Sequence, residues 1–286
     1  MDVLVTHYEQ QKTLRDSAES LTNQLGSTDP IHVVDAGSKD GSFRILEELD
    51  HKDKVELLYR DGVSRGRGRQ IAFEESADEI VIGQVDLDSI FYPVLPDLAD
   101  RYMQVRSERG PGILLVHGCF VSDRETITRL GGWNDLQVHE DKDLWIRADQ
   151  EATLYQLPIS VVQQHDNFEW ESLWYRSKRL YQNYRDGLRL GISREALARS
   201  YRAHQSPTSW PINATLLSIA ARQAGKMETY QTIPTGVLDA EEFYLRELTF
   251  HTLVECDLID PETLSLSSSF REYQSQQTYP GQTSYQ

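Results

Sequence analysis

Cysteine and long apolar runs are scarce in this sequence. Only Cys119 and Cys256 occur among the 286 residues, and their wide separation argues against both a disulfide framework and a cysteine metal site. No apolar run reaches the length of a membrane-spanning helix, and the first residues do not resemble a secretory leader. We therefore expect a cytoplasmic protein, with any membrane contact peripheral and on the cytoplasmic face.

Positive charge is also scarce. Only seven of the 29 basic residues are lysine, and 45 acidic residues give a formal net charge of −16. A surface of this sign repels nucleic acid, so we expect no nucleic-acid partner. Dense surface carboxylates with few lysines keep proteins soluble in concentrated salt, and the composition resembles that of a halophilic archaeal protein.

Short β-rich runs alternate with helical stretches through the first half of the chain. This alternation predicts an α/β fold in which helices flank a mostly parallel sheet. Such sheets bind ligands at the carboxyl ends of their strands, so the residues that follow each strand are the candidate site residues. The strand-like runs are 3–6, 31–34, 55–59, 79–85 and 113–117, with one or two more in 154–163; the helical stretches are 12–25, 43–49, 67–76, 95–109 and 142–149.

The pattern changes after residue 167. Residues 168–204 have helical spacing and are rich in Arg, Tyr and Trp, whereas the chain from residue 265 is rich in Ser, Gln and Tyr. Segments of the second kind bury too little apolar surface to fold. We therefore predict an α/β domain over 1–167, a helical C-terminal segment over 168–264 and a flexible tail over 265–286.

The strand that ends at Asp35 leads into a loop with two glycines, two serines and a second aspartate. One interpretation is a strand-to-helix connection in which Asp40 or Ser42 caps the next helix. The other is a nucleotide-binding loop in which Asp35 accepts hydrogen bonds from a base or ribose. Its glycines would then let the backbone approach the ligand closely.

Three arginines separated by glycines, Arg65, Arg67 and Arg69, lie at the start of a predicted helix. Cationic side chains at a helix N-terminus oppose the helix dipole. An anion such as pyrophosphate would remove this penalty, because free backbone N–H groups and guanidinium groups both favour it. We therefore favour a phosphate contact by Arg69 over an exposed turn.

Asp86 and Asp88 directly follow the most apolar strand. Side chains two positions apart on extended backbone point to the same side, and carboxylates held that close repel each other. Mg²⁺ or Mn²⁺, bound by one or two carboxylates together with diphosphate oxygens, would remove the repulsion. The alternative is a solvated acidic loop.

A further acidic pair, Glu140 and Asp141, begins the helical stretch that follows Gly131-Gly132-Trp133. Acidic residues in a first turn stabilise a helix through its dipole, which is a sufficient structural reason for them. The functional interpretation places one of the two carboxylates at the mouth of a site as a general base.

In this order, these segments resemble the family 2 glycosyltransferases of the GT-A fold. The resemblance covers about residues 3–166. It implies a GT-A, Rossmann-like catalytic domain over 1–167 that transfers a sugar from a nucleotide-diphosphate sugar with inversion at the anomeric carbon. The matching motifs are Val5-Thr6-His7-Tyr8, the loop from Val34 to Gly41, Arg65 to Gln70, Asp86-Leu87-Asp88, and Gly131-Gly132-Trp133 with the helix from Glu140 to Arg147.

The resemblance also implies roles in donor binding. Thr6 and Tyr8 would line the donor site, with Tyr8 stacked on the base. Asp35 would contact the base, Arg69 the base or the phosphates, and Asp86 the ribose or a metal-bound water.

A metal and a base are implied in the same way. Asp88 would ligate Mg²⁺ or Mn²⁺ directly, with Asp86 beside it and His165 as a late ligand. The metal would neutralise the leaving diphosphate, and Asp141, supported by Glu140, would remove the proton of the acceptor hydroxyl.

Two other functions fit parts of the sequence. A nucleotidyltransferase would usually carry a Gly/Arg/Lys phosphate loop directly after the first strand, where this chain has Thr6-His7-Tyr8-Glu9-Gln10. A non-catalytic scaffold in a glycan-assembly complex would not need to keep both the Asp86/Asp88 and the Glu140/Asp141 pairs.

The acceptor stays open between a glycan, a small molecule and a polyprenyl-phosphate-linked compound. A phosphate acceptor would need no base. Residues 168–204 hold eight basic and four acidic residues with interleaved aromatics. That pattern fits either a helical appendage that packs on the domain or a peripheral membrane contact.

Overall fold

The computed structural model describes residues 1–52, 55–164, 173–204 and 210–232. Elements are numbered in chain order. The strands are β1 (Asp2–His7), β2 (Ile31–Asp35), β3 (Glu56–Tyr59), β4 (Ile80–Val85), β5 (Ser89–Phe91), β6 (Ile113–His117), β7 (Cys119–Asp123), β8 (Leu154–Ser160) and β9 (Val162–Gln164). The helices are α1 (Gln11–Thr22), α2 (Ser42–Asp50), α3 (Arg65–Glu75), α4 (Leu95–Arg109), α5 (Arg124–Arg129), α6 (Glu140–Gln150), α7 (Leu173–Arg189), α8 (Arg194–His204) and α9 (Trp210–Ala224).

A seven-stranded sheet with the order β3-β2-β1-β4-β7-β6-β8 forms the centre of the molecule. Neighbouring strands are parallel except where β7 pairs antiparallel with β4 and β6. The predicted α/β fold with a mostly parallel sheet flanked by helices is therefore confirmed. The sequence pattern missed β7 because only Gly118 separates it from β6.

Both faces of the sheet are covered, as β1 shows. Val3, Leu4 and Val5 are fully buried. Val3 and Val5 pack in a core cluster with α1, α2 and α4, whereas Leu4 packs in a second cluster with α3 and α6. Burial on both faces explains why β1 is continuously apolar rather than alternating.

Two helices begin two residues earlier than the ranges predicted from the sequence pattern, and both differences concern candidate site residues. The helix expected over 67–76 is α3, which begins at Arg65 because the Ser64 hydroxyl caps it by accepting the Arg67 backbone N–H at 3.1 Å. The helix expected over 142–149 is α6, which begins at Glu140. Arg65, Arg67 and the second acidic pair therefore lie in the first turns of helices, and Arg69 lies about one turn further along α3.

Helices α7, α8 and α9 share an apolar cluster of their own, which includes Tyr184, Ile192, Leu197 and Leu217. The helical character expected for 168–204 is present in its described part, 173–204. The predicted boundaries at 167 and 264 fall outside the described residues, so the division into domains stays a prediction. Within the described ranges, no helix combines the length and the apolar character that crossing a membrane requires.

Candidate active site

The start of α3 packs directly against the loop between α5 and α6. The Gly66 N–H donates to the Leu136 carbonyl at 2.9 Å, and a Cβ at Gly66 would lie 2.1 Å from the carbonyl oxygen of Asn134. A side chain does not fit at this contact, which explains a glycine between two arginines. The close approach brings Arg65 and Arg69 to the first turn of α6.

Arg69 lies at the centre of the site, between the end of β4 and the start of α6. Its side chain is fully buried, and Nη2 lies 3.0 Å from Asp86, 3.1 Å from Asp141 and 3.5 Å from Glu140. Burial alone would lower the pKa of this guanidinium, but the three carboxylates raise it. Arg69 therefore holds the two acidic segments together, and its contact with a base or phosphate stays a prediction.

Arg65 is the more accessible guanidinium at this edge. Its side chain is 42% exposed, with Nε 3.7 Å from Glu140 and Nη1 4.0 Å from Asp86. Asp86 is the main cause that raises the pKa of Arg65. Because Arg69 is enclosed by carboxylates, Arg65 is the arginine of this cluster that can also reach a ligand from solvent.

Glu140 and Asp141 are both buried in the first turn of α6. The Trp133 Nε1–H donates to Asp141 at 2.8 Å and so fixes the orientation of this carboxylate. Burial, and then the charge of Asp141, raise the pKa of Glu140 to about 8, and burial also raises the pKa of Asp141. Both carboxyls therefore hold a proton at higher pH than isolated carboxyls do, which brings the pair closer to the neutral range in which a general base works best.

The turn that presents Trp133 depends on two glycines in the left-handed region. Gly131 and Gly132 have φ angles of 86° and 67°. The side chain of Gln70 fills the space beside Gly132, where a Cβ would lie 2.1 Å from its Oε1, and this oxygen accepts the Trp133 N–H at 2.9 Å. Larger residues at either glycine would be strained and would turn the indole away from Asp141.

Asp86 and Asp88 follow an irregular end of β4. The pairing of β4 with β1 shifts register there, and Gln84 has a φ of 61°. Asp86 is ion-paired with Arg69 and Arg65, whereas Asp88 accepts hydrogen bonds from the neutral groups Gln10 Nε2 at 3.2 Å and Ser89 Oγ at 3.0 Å. Burial, and then Asp86, raise the pKa of Asp88, so a cation beside it would relieve unfavourable charge.

A metal at this edge would have few protein ligands. Among the described residues, no three His, Cys, Asp or Glu side chains are placed together to hold an ion. One or two carboxylates with oxygens of a bound diphosphate remain a donor set that suits Mg²⁺ or Mn²⁺. Antiparallel pairing of β5 with β9 places Gln164 opposite Ser89. His165, the expected late ligand, is the next residue in the chain and lies outside the described residues.

The residues expected to bind the donor lie at the carboxyl ends of β1 and β2, where His7 is in register with Asp35. Thr6 donates to the Arg65 carbonyl at 3.0 Å, and Tyr8 is 48% exposed. Asp35 is fully buried and accepts two backbone N–H groups and the Ser38 hydroxyl of its own loop. Tyr8 is open to a ligand, whereas Asp35 shapes the loop; their contacts with a base stay predictions.

Two features of the site were not predicted from the sequence. Trp133 lies in the Gly131-Gly132-Trp133 motif, but nothing in the sequence indicates that its indole donates to Asp141. Contacts from the C-terminal segment were also missed: Asp186 on α7 accepts the backbone N–H groups of Gln137 and Val138. Such long-range contacts leave no periodic signal in a single sequence.

Comparisons with known proteins bear on residues 2–107 and on the fold. The family model described as Glycosyl transferase family 2 matches residues 2–107, which include the ends of β1, β2 and β4. No curated protein sequence matches the chain.

Several solved structures share the fold at low sequence identity. The mannosyltransferase PcManGT of Pyrobaculum calidifontis is 15% identical, with a TM-score of 0.52 over 96% of this chain and 82% of that one. Residues 1–349 of S. aureus TarS are 15% identical, with a TM-score of 0.51 over 84% of this chain and 76% of that one. A mycobacterial protein is 14% identical, with a TM-score of 0.51 over 67% and 75%. The family match therefore indicates a family 2 glycosyltransferase domain over residues 2–107, and the solved structures show that the chain has their fold.

Proposed function

We propose that the protein is a metal-dependent, inverting enzyme that transfers a sugar from a nucleotide-diphosphate sugar to an acceptor hydroxyl. The observation that carries this proposal is the convergence of Asp86, Glu140 and Asp141 on the buried Arg69 at the carboxyl edge of the sheet. Parallel sheets of this kind bind nucleotides at that edge. The similar mannosyltransferase PcManGT was solved with GDP-Man and Mn²⁺, which supports both a nucleotide-sugar donor and a divalent cation.

For the donor, we propose that Tyr8 stacks on the base while Asp35, Thr6 and Arg69 shape the rest of the nucleotide site. Tyr8 is suited because nearly half of its surface is exposed at the end of β1. Thr6 and Arg69 act through their neighbours, Thr6 by fixing the Arg65 carbonyl and Arg69 by orienting Asp86.

For the metal, we propose that Asp88 is the direct ligand, that Asp86 lies close to it and also meets the ribose, and that His165 completes the set. Asp88 suits the role because neutral donors, not arginines, hold it. A bound Mg²⁺ or Mn²⁺ would stabilise negative charge on the leaving diphosphate. Arg65, 42% exposed beside Asp86, can add a guanidinium contact to the same phosphates.

For the proton, we propose that Asp141 and Glu140 act as a pair. The Trp133 indole fixes Asp141 as the carboxylate that takes the proton of the acceptor hydroxyl. Glu140, whose pKa is raised to about 8, keeps its own proton near neutral pH and so leaves Asp141 as the base of the pair. Attack of the deprotonated hydroxyl on the face opposite the diphosphate inverts the anomeric carbon. A positioned base of this kind typically contributes ~10²–10⁴-fold to the rate.

Asp88→Asn tests the proposal most directly. It keeps the size of the side chain but removes the charge, and we expect kcat/KM for sugar transfer to fall ~10²-fold or more, as losing a metal ligand does. The stabilisation by Mn²⁺ with a nucleoside diphosphate, read as a rise in Tm, should also disappear. Asp100→Asn removes an acidic side chain from α4 and serves as the control.

The outcomes separate this proposal from its rivals. Full activity of Asp88→Asn would refute the metal assignment. If the wild type releases no nucleoside diphosphate from UDP-, GDP- or dTDP-sugars with Mn²⁺, a non-catalytic scaffold is favoured. Synthesis of a nucleotide-sugar from a nucleoside triphosphate and a sugar phosphate would indicate a nucleotidyltransferase. Because the acidic composition suggests a salt-adapted source, each assay is run at both low and molar KCl.

The acceptor has a second candidate, a polyprenyl-phosphate-linked compound at the cytoplasmic membrane face. The observation that favours it lies at the start of α7, where Trp174 is 77% exposed and Tyr175 46% exposed in a basic segment. Exposed aromatics beside basic residues are typical of membrane-surface helices. Flotation with anionic vesicles that is lost in Trp174→Ala would support this acceptor, and no flotation would favour a water-soluble glycan or small molecule.

A further inference from the structure

One face of α7 contacts the loop that leads into α6. Asn183, Asp186 and Arg189 are three residues apart, so they share a face of the helix. All three side chains reach the stretch 135–139. The apolar cluster of α7 with α8 and α9 includes Tyr184 but none of these three. The polar face of α7 is therefore directed at the loop.

Asp186 makes the central contact. Its carboxylate is fully buried, and Oδ2 accepts the backbone N–H groups of Gln137 at 2.7 Å and Val138 at 3.0 Å. The other oxygen lies 2.6 Å from the Arg185 Nε and 3.6 Å from Arg189. Two successive amides bound to one buried carboxylate leave this part of the loop little freedom.

The contacts on either side of Asp186 extend the same restraint. Arg189 donates to the Asp135 carbonyl at 2.6 Å. His139, which precedes α6 in a left-handed conformation with a φ of 72°, has its Nε2 2.8 Å from the Asn183 Oδ1. The loop is therefore held at its beginning, middle and end by one helix face.

The next residues after His139 are Glu140 and Asp141. Their position depends on how the chain enters α6, because the first turn has no preceding helical turn to hold it. An error of about 1 Å in a catalytic group can cost ~10²-fold in rate. A helix that lies outside the 2–107 family match is thus placed to set the geometry of the acidic pair.

We propose that Asp186 is a positioning residue for sugar transfer, which makes α7 a required part of the active site. The inference rests on the function proposed above for Glu140 and Asp141. Asp186 touches the loop backbone and not the reacting atoms, so it is expected to affect turnover more than donor binding. Most of the proposed donor residues lie at the ends of β1, β2 and β4, whereas Arg69 on α3 contacts the acidic pair itself.

The experiment compares Asp186→Ala and Asp186→Asn with Asp123→Asn. Asp123 is an equally buried carboxylate that accepts a backbone N–H, that of Thr126 at 2.7 Å, but it caps α5 instead of holding the loop. We expect Asp186→Ala to lower kcat ~10²-fold while KM for the donor changes less than about twofold. Asp186→Asn keeps an acceptor oxygen and should recover part of the loss, whereas Asp123→Asn should lose stability but keep kcat per folded molecule.

Amide hydrogen exchange of residues 135–141 gives a second readout that needs no turnover. Exchange there should quicken at least about tenfold in Asp186→Ala relative to Asp123→Asn. Equal kcat in the Asp186 variants and the control, or unchanged exchange in the loop, would overturn the inference. If Asp186→Ala does not fold, Asp186→Asn decides by the same two measurements. If the wild type transfers no sugar, the proposed function fails while the exchange comparison still decides whether α7 restrains the loop.

Discussion

Replacing Glu140 by Gln should stabilise the protein, and increasingly so as the pH rises. Burial raises the pKa of Glu140 from an ordinary value of 4.5 to about 8, so the folded protein binds a proton that the unfolded chain has lost over this interval. The stability associated with that proton is fully present below about pH 4.5 and is lost as the pH rises through about 8. Glutamine keeps the shape of the protonated acid and removes this dependence.

The size of the effect follows from the same two pKa values. The two values differ by about 3.5 pKa units. At ~1.4 kcal/mol for each unit, the ionised carboxylate lowers the free energy of unfolding by at most about 5 kcal/mol. This figure already includes the attraction of Arg65 and Arg69, at 3.7 and 3.5 Å, because both arginines lower the pKa of Glu140. We therefore expect Glu140→Gln to be more stable by up to about 5 kcal/mol at pH 9 and by almost nothing at pH 5, or by up to ~10–20 °C in Tm at the higher pH.

Thermal unfolding at pH 5, 7 and 9, followed by tryptophan fluorescence, measures the difference between Glu140→Gln and the wild type. Glu48→Gln is the control, because Glu48 is an accessible carboxylate beside Arg15 with a lowered pKa and should show no growing difference over this range. A Tm of Glu140→Gln that falls further below the wild type as the pH rises would contradict a raised pKa for Glu140. It would mean that the ionised carboxylate stabilises the fold through the arginines.

Two further substitutions test the packing and the orientation of the site. Gly66→Ala places a Cβ 2.1 Å from the Asn134 carbonyl and should cost ~1–3 kcal/mol or more in urea unfolding. At Gly62 a Cβ would meet free space but the backbone has a φ of 74°, so Gly62→Ala should lower the free energy of unfolding by only ~1 kcal/mol. Equal losses of stability in the two variants would contradict the close contact between Gly66 and Asn134. Trp133→Phe removes the hydrogen bond that lowers the pKa of Asp141. It should lower kcat about tenfold and shift the acidic limb of the pH–rate profile upward, and an unchanged profile would argue against Asp141 as the base.

The edge of the sheet that carries the site was predictable, because it follows from where apolar strands end. Asp35, Asp86 and Asp88 come after β-rich runs, and parallel strands deliver their carboxyl ends to one side. The start of α6 was not predictable to the residue. His139 adopts a left-handed φ of 72°, which is not a usual N-cap conformation, and it depends on contacts with α7 that lie more than 40 residues away in sequence.

The role of Arg69 could not be obtained from local sequence for a similar reason. Three arginines at a helix start do indicate nearby negative charge, and carboxylates do lie beside Arg65 and Arg69. Whether that charge belongs to a ligand or to the protein depends on which loops pack against the helix. Gly66 allows the loop at Asn134 to come close, and the protein's own carboxylates then surround Arg69.

The charges in the site couple the binding of the divalent cation to the binding of the nucleotide-sugar donor. Asp86, Asp88 and the pair at the start of α6 face two arginines, and the raised pKa of Glu140, about 8, leaves one of the four carboxyls protonated near neutral pH. The excess of carboxyl over guanidinium groups attracts a divalent cation and repels a diphosphate. A cation bound at Asp88 would reverse the sign and favour the diphosphate, whose oxygens in turn complete the coordination. Because such coupling is reciprocal, cation and donor should each raise the affinity for the other. An acid-rich site that binds neither partner strongly alone can then bind the two together.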